Sequence, residues 1–147
     1  MSYNLEQTTG LTKTAQIGHY SASFSGNTSL GSLMTFTTLF SNISSSSVSG
    51  SSLTLPPGHY LLKASLGINN SNSIANYANY AWEIDGSTVG QEGSSTQDNK
   101  VGIDPCHALL TVKSGDTATV KIKITSKGGT TSINSDFSSI FVTKVDI

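Results

Sequence analysis

The chain has 147 residues and a formal net charge of −1, enough for one domain with a core and too little for two. Only 12% of its residues are charged and every basic one is Lys, so no basic stripe exists to neutralise phosphates and no Arg to read base edges, and nucleic acid is not an expected partner. The lone cysteine, Cys106, excludes an intramolecular disulfide and a Cys-rich zinc site.

Residues 1–13 are polar and weakly patterned, and read as an arm, either flexible or docking, ahead of a domain spanning 14–147. They carry no basic stretch followed by an apolar run, so no signal peptide is expected, and no apolar run approaches the roughly 20 residues that cross a bilayer. From there on, helical periodicity never lasts, whereas alternation recurs. Strands are predicted at 15–24, 32–40, 52–55, 58–68, 78–85, 87–91, 106–113, 117–126 and 136–146. Loops rich in Ser, Asn, Gly or Thr are predicted at 41–51, 69–76, 92–104 and 126–135. Ser and Thr make up roughly three residues in ten, a bias that suits short strands and polar turns.

Within this pattern, Pro56-Pro57-Gly58 makes a corner between two strands, and Asp85-Gly86 is the preferred pair for a type I′ hairpin turn. Ser114-Gly115-Asp116 is predicted to close a tight hairpin between His107–Val112 and the clearest half-buried strand, where Ala118, Val120, Ile122 and Ile124 alternate with Thr119, Lys121 and Lys123. Such spacing indicates an all-β antiparallel sandwich or barrel. The last strand is apolar on both faces, with Phe137, Phe141, Val145 and Ile147 on one and Ile140 and Val142 on the other. The strand after the proline corner alternates Tyr60, Leu62, Ala64, Leu66 and Ile68 with His59, Leu61, Lys63 and Ser65. Two apolar faces in so small a domain point to a second surface that another chain, or otherwise an edge loop, covers.

Catalytic patterns are weak. Cys106 and His107 are neighbours on a strand and so face opposite sides, which excludes a nucleophile–base dyad. His19, His59 and His107 lie on separate strands without metal-ligand spacing, and no cofactor motif or phosphate-cradling loop occurs. Asn27-Thr28-Ser29, Asn42-Ile43-Ser44 and Asn69-Asn70-Ser71 match the glycosylation pattern and read as coincidences of a Ser/Asn-rich chain. Tyr77, Tyr80 and Trp82 form the aromatic cluster and are the candidate ligand-binding residues if their rings are exposed, although rings so placed more often fill a core.

Five segments, in order, resemble the C1q/TNF-like jelly roll: Met34–Asn42, an early strand ending in Asn; Leu55-Pro56-Pro57-Gly58-His59-Tyr60, the entry to a central strand; Trp82–Gly90, a mid-domain hairpin; Leu109–Val120, with its Gly115-Asp116; and Asp136–Val142, a final strand in which Ser139 replaces the family's Gly. The resemblance covers roughly 32–147 and lacks the collagen stalk. It implies a jelly-roll head assembling as a homotrimer about a threefold axis, with His59, Leu61, Ile140 and Val142 as expected interface residues, and no enzyme. Compact heads of this kind resemble those of bacteriophages. The expected role is a virion surface protein made in the host cytoplasm, either decorating a capsid or adhering to a host. Its expected partners are itself, a capsid or tail protein through the arm, and a host-surface glycan or receptor, without membrane insertion. The alternative is a carbohydrate-binding or bacterial surface-adhesion module.

Overall fold

A computed structural model describes residues 15–69, 76–98, 100–129 and 131–145. The arm at 1–13, the third glycosylation pattern beyond Asn69, and Ile147 lie outside the described residues. Eleven strands are formed: β1 (Gln16–Ser23), β2 (Thr35–Ser41), β3 (Ser47–Ser49), β4 (Ser52–Leu55), β5 (Gly58–Asn69), β6 (Asn76–Ile84), β7 (Ser87–Asp98), β8 (Lys100–Asp104), β9 (Cys106–Val112), β10 (Ala118–Gly128) and β11 (Ser132–Val145). All pairings are antiparallel. Sheet I has the order β2-β1-β11-β5-β9 and sheet II the order β3-β4-β10-β6-β7, with β8 hydrogen-bonded outside β7. The sheets meet where β7 crosses from one to the other through the pair Gln91–His107.

The alternating apolar residues predicted for β5 and β10 meet between the sheets. Tyr20, Leu62, Ala64, Cys106, Ile140 and Val142 come from sheet I, and Leu53, Leu55, Tyr80, Trp82, Val120, Ile122 and Ile124 from sheet II; all are buried. Period-two patterning places each set on one face of its strand, and burial of such side chains contributes about 1.5–3 kcal/mol apiece.

The Asp85-Gly86 turn has φ of 50° and 83° and joins Ile84 to Ser87, as a type I′ turn requires. At the proline corner Gly58 has a φ of 152°, and the Tyr60 hydroxyl donates to the Pro56 carbonyl at 2.7 Å, fixing the angle at which the chain passes from sheet II to sheet I. The turn at 113–116 differs from expectation. It is tight, with the Asp116 amide donating to the Lys113 carbonyl at 3.1 Å, but β9 belongs to sheet I and β10 to sheet II. The connection is an arch across the core rather than a hairpin.

Three predicted loops hold strands instead. β3 lies within 41–51, β7 and β8 fill most of 92–104, and β10 and β11 meet near 129–131. The outer half of β7 has no apolar alternation because its inward positions are Gly93, against the Tyr80 ring, and Ser95, whose hydroxyl accepts from the Ile68 amide; both are buried. A Cβ on Gly93 would lie 2.5 Å from the Asp104 carbonyl oxygen and 2.7 Å from Tyr80 Cε2, so the neighbouring strand supplies the bulk that β7 lacks. β11 starts at Ser132 and bulges between Asn134 and Ser139. The Ser138 hydroxyl stabilises this bulge by donating to the Asn134 carbonyl at 2.7 Å.

Candidate interaction surface

The residues of sheet I that alternate with the core point outward and line up across the strands. One row runs Phe40, His19, Phe141, Lys63, His107, Gln91 across β2, β1, β11, β5, β9 and β7. The next runs Ile17, Thr143, Leu61, Leu109, and a third Val145, His59, Thr111. Leu109 is 77% exposed, Phe40 57%, Leu61 48% and Phe141 42%. A hollow of about 790 Å³ opens among Leu61, Lys63, Gly90, His107, Leu109 and Phe141. Several large apolar side chains exposed together around a hollow mark a candidate contact surface.

Polar side chains share this face, with His19, Lys63, His107, Gln91, Thr143, His59 and Thr111 interleaved among the apolar ones. The His19 ring lies flat on Phe141, with centroids 4.4 Å apart and planes 4° from parallel, and its Nε2 is 3.2 Å from Ser139 Oγ. His59 Nδ1 is 3.0 Å from Thr111 Oγ1. Beyond the β9 end, Glu92 and Asp104 line a more polar cleft that also touches His107.

Of the predicted interface residues, His59 and Leu61 stand on this face. Ile140 and Val142 do not: both are fully buried in the core. The alternation read for β11 is correct, but its faces are reversed, because Ile140 pairs with Tyr20 and Ala64, and Val142 with Gly18 and Leu62, all pointing between the sheets. Phe141, on the other side of the strand, is the exposed one. Leu109, Phe40, His19 and His107 were not singled out as interface residues either; the adjacent pair Leu109-Leu110 was the available signal that β9 is apolar on both faces.

The aromatic cluster does not form an exposed platform. Tyr80 and Trp82 are completely buried, and only Tyr77, at 41%, is exposed. Cys106 and His107 face opposite sides as expected, one buried and one exposed, and burial pushes the Cys106 thiol up to about 12, far from a reactive thiolate. Among the described residues no cluster of three His, Cys, Asp or Glu side chains is placed to hold a metal ion. The side-chain amides of two candidate glycosylation asparagines are engaged. Asn42 accepts from the Ile17 amide at 2.6 Å and donates to the Ala15 carbonyl at 2.9 Å, and Asn27 accepts from Lys127 Nζ at 2.9 Å and from the Thr131 amide at 3.1 Å.

No family model matches the sequence, and no curated protein matches it. Solved structures do. A crystal structure of murine APRIL superposes with a TM-score of 0.57 at 14% identity, covering 90% of this chain and 100% of that one. Eiger TNF from S. frugiperda superposes with a TM-score of 0.55 at 12% identity, covering 91% of this chain and 94% of that one. At these identities the likeness is one of architecture, and it agrees with the strand order and the two-sheet core: the protein is an all-β, TNF-like jelly roll.

Proposed function

We propose that the protein is a non-enzymatic binding head that assembles as a homotrimer through the outer face of sheet I. The observation that carries this reading is that Phe40, Phe141, Leu61 and Leu109 are exposed on one face of one sheet, the last three bordering a hollow. Burying that face against a second copy removes it from water, and a closed assembly satisfies every copy alike. The fold shared with TNF-like structures supports the same direction. Three identical heads bind a surface far more strongly than one, since the second and third contacts are made at high effective concentration. The finer setting is a virion surface, with residues 1–13 as a tether to a capsid or tail protein and the loops meeting a host glycan or receptor. It rests on the sequence resemblance alone, and deletion of 1–13 tests the tether by asking whether particles still incorporate the head.

Light scattering after gel filtration tests the assembly. The expected mass is near three times 15.3 kDa. Leu109→Glu, at an exposed position where the fold tolerates charge, is expected to give a folded monomer. A monomeric parent protein, or a trimer unaffected by Leu109→Glu and Phe141→Glu, overturns the reading.

A further inference from the structure

We infer that the assembly is released by acid and that His19 is the residue that senses it, an inference that rests on the trimer proposed above. His19 stands between two exposed aromatic rings of its row, Phe40 on β2 and Phe141 on β11. Half of its surface problem is already solved within the protomer: the ring is stacked on Phe141 and one nitrogen contacts Ser139 Oγ. The exposed side of that stack is what a second copy would cover.

Among the described residues of the neighbouring strands no acid is placed to balance a charge there. Among the described residues β1 and β2 carry no charged side chain other than the histidine itself. On β11 the charged residues are Lys144, in register with Gln16 on the opposite side of the strand and 6.0 Å from the Tyr60 ring centre, and Asp136 in the bulge at the far end of the strand. Lys63 on β5 lies just beyond Phe141 in the same row, and its charge opposes a second cation. His107, by contrast, has Glu92 and Asp104 in the adjoining cleft, and His59 sits at the edge with Thr111, so neither is the group on which the inference depends.

Imidazole takes up a proton between about pH 8 and 5 as a side-chain type. In the free protomer the imidazolium keeps water on one side. In the assembly it would lose that water with no acid on the neighbouring strands of its own protomer to pair with, and the weak attraction of a cation for the Phe141 face does not replace the lost hydration. The assembled state therefore favours neutral His19 and sheds the proton. By linkage, lowering the pH favours the dissociated state. Symmetry multiplies the effect, because each of the three copies releases its own proton. The association constant is expected to fall by up to about three powers of ten per pH unit at the steepest point.

The experiment is mass by light scattering at pH 7.5, 6.5 and 5.5, with circular dichroism at each pH to show that the fold persists, on the full chain and on His19→Phe and His19→Gln. The expected result is a trimer at pH 7.5 and folded monomers at pH 5.5, with both variants still trimeric at pH 5.5. A wild-type trimer that persists at pH 5.5, or variants that dissociate at the same pH as wild type, overturns the acid switch and leaves the trimer standing. A monomer at pH 7.5 overturns the trimer itself and this inference with it.

Discussion

The hydroxyl of Tyr80 and the backbone amide of Leu66 join the two sheets, with the phenol oxygen on β6 accepting the β5 N–H at 3.0 Å. The last β5–β9 pair is Ala64–Cys106, so the amides beyond it have no ladder on that side. Side-chain hydroxyls take their place: Tyr80 for Leu66, and Ser95, which accepts from Ile68 at 3.3 Å; on the opposite side, at the β11 bulge, Ser138 accepts from Gly67 at 3.2 Å. Tyr80 completes the set by donating to the Asp104 carbonyl at 2.8 Å. Tyr80→Phe leaves the buried Leu66 amide without its acceptor, which costs about 1–3 kcal/mol. Urea unfolding is expected to show a lower midpoint with an unchanged slope.

Ile140 and Leu109 separate the core from the contact face. Ile140→Ala is expected to cost about 2–5 kcal/mol at any protein concentration, since it opens a cavity between the sheets. Leu109→Ala, on the exposed face, is expected to lower the melting temperature only where the protein is concentrated enough to assemble. Thermal unfolding over a hundredfold range of concentration distinguishes the two. A concentration-independent loss for Leu109→Ala would place that side chain in the core of the protomer instead.

Alkali is expected to weaken the fold. Burial pushes the Cys106 thiol from an ordinary 9.0 up to about 12, and the Tyr80 phenol from 10.0 up to about 12. Above pH 9 the unfolded chain loses the thiol proton while the folded chain keeps it, so the unfolded state binds fewer protons and stability falls as pH rises. The contribution is present in full below pH 9 and is lost toward pH 12, with a limiting slope of about 1.4 kcal/mol per pH unit for one group. Urea midpoints at pH 8, 9, 10 and 11 measure it. Cys106→Ala is expected to remove the decline between pH 9 and 10 and to leave the later one, and a wild-type profile that stays flat to pH 11 contradicts the assignment.

Gly90 and Gly115 both have positive φ, 75° and 88°, yet their substitutions are expected to differ. A Cβ at Gly90 would lie 2.0 Å from the His107 carbonyl oxygen and 2.9 Å from the Ala108 Cα, backbone atoms that cannot step aside at the point where β7 crosses to sheet I, whereas Gly115 faces open space. Gly115→Ala therefore costs only the left-handed conformation, about 1–2 kcal/mol. Gly90→Ala adds backbone displacement and is expected to cost about 3 kcal/mol or more. Denaturant midpoints of the two variants give the comparison directly, and equal losses would argue against the close approach at Gly90.

Much of this architecture is legible in the sequence where one strand carries its own apolar alternation. Ala118, Val120, Ile122 and Ile124 announce β10, and Asp85-Gly86 announces the hairpin beside it, because both signals are local. The outer part of β7 is silent because Gly93 makes room for the Tyr80 ring of the next strand and Ser95 accepts from the Ile68 amide, at positions that would ordinarily show Val or Ile. The arch at 113–116 is indistinguishable from a hairpin in sequence, since Gly115 satisfies the turn whether the chain returns to the same sheet or crosses to the other. The contact face was half readable. β11 is apolar on both sides, and only its register with Tyr20 and Leu62, a relation between distant segments, decides that Ile140 and Val142 go inward while Phe141 goes out.

Sheet I places β11 between β1 and β5, so the strand that comes last in chain order is the one that joins its two halves. During synthesis the β1–β2 pair and the β5–β9 pair stay unjoined, with the β1 and β5 edges unpaired, until Ser132–Val145 has left the ribosome. Closure then requires contacts between segments at opposite ends of the chain, the kind of topology that folds in milliseconds to seconds rather than microseconds. A chain interrupted before β11 cannot shed a strand from an edge and keep the rest; it is left with two sticky half-sheets, each prone to pair with a neighbour on the same polysome.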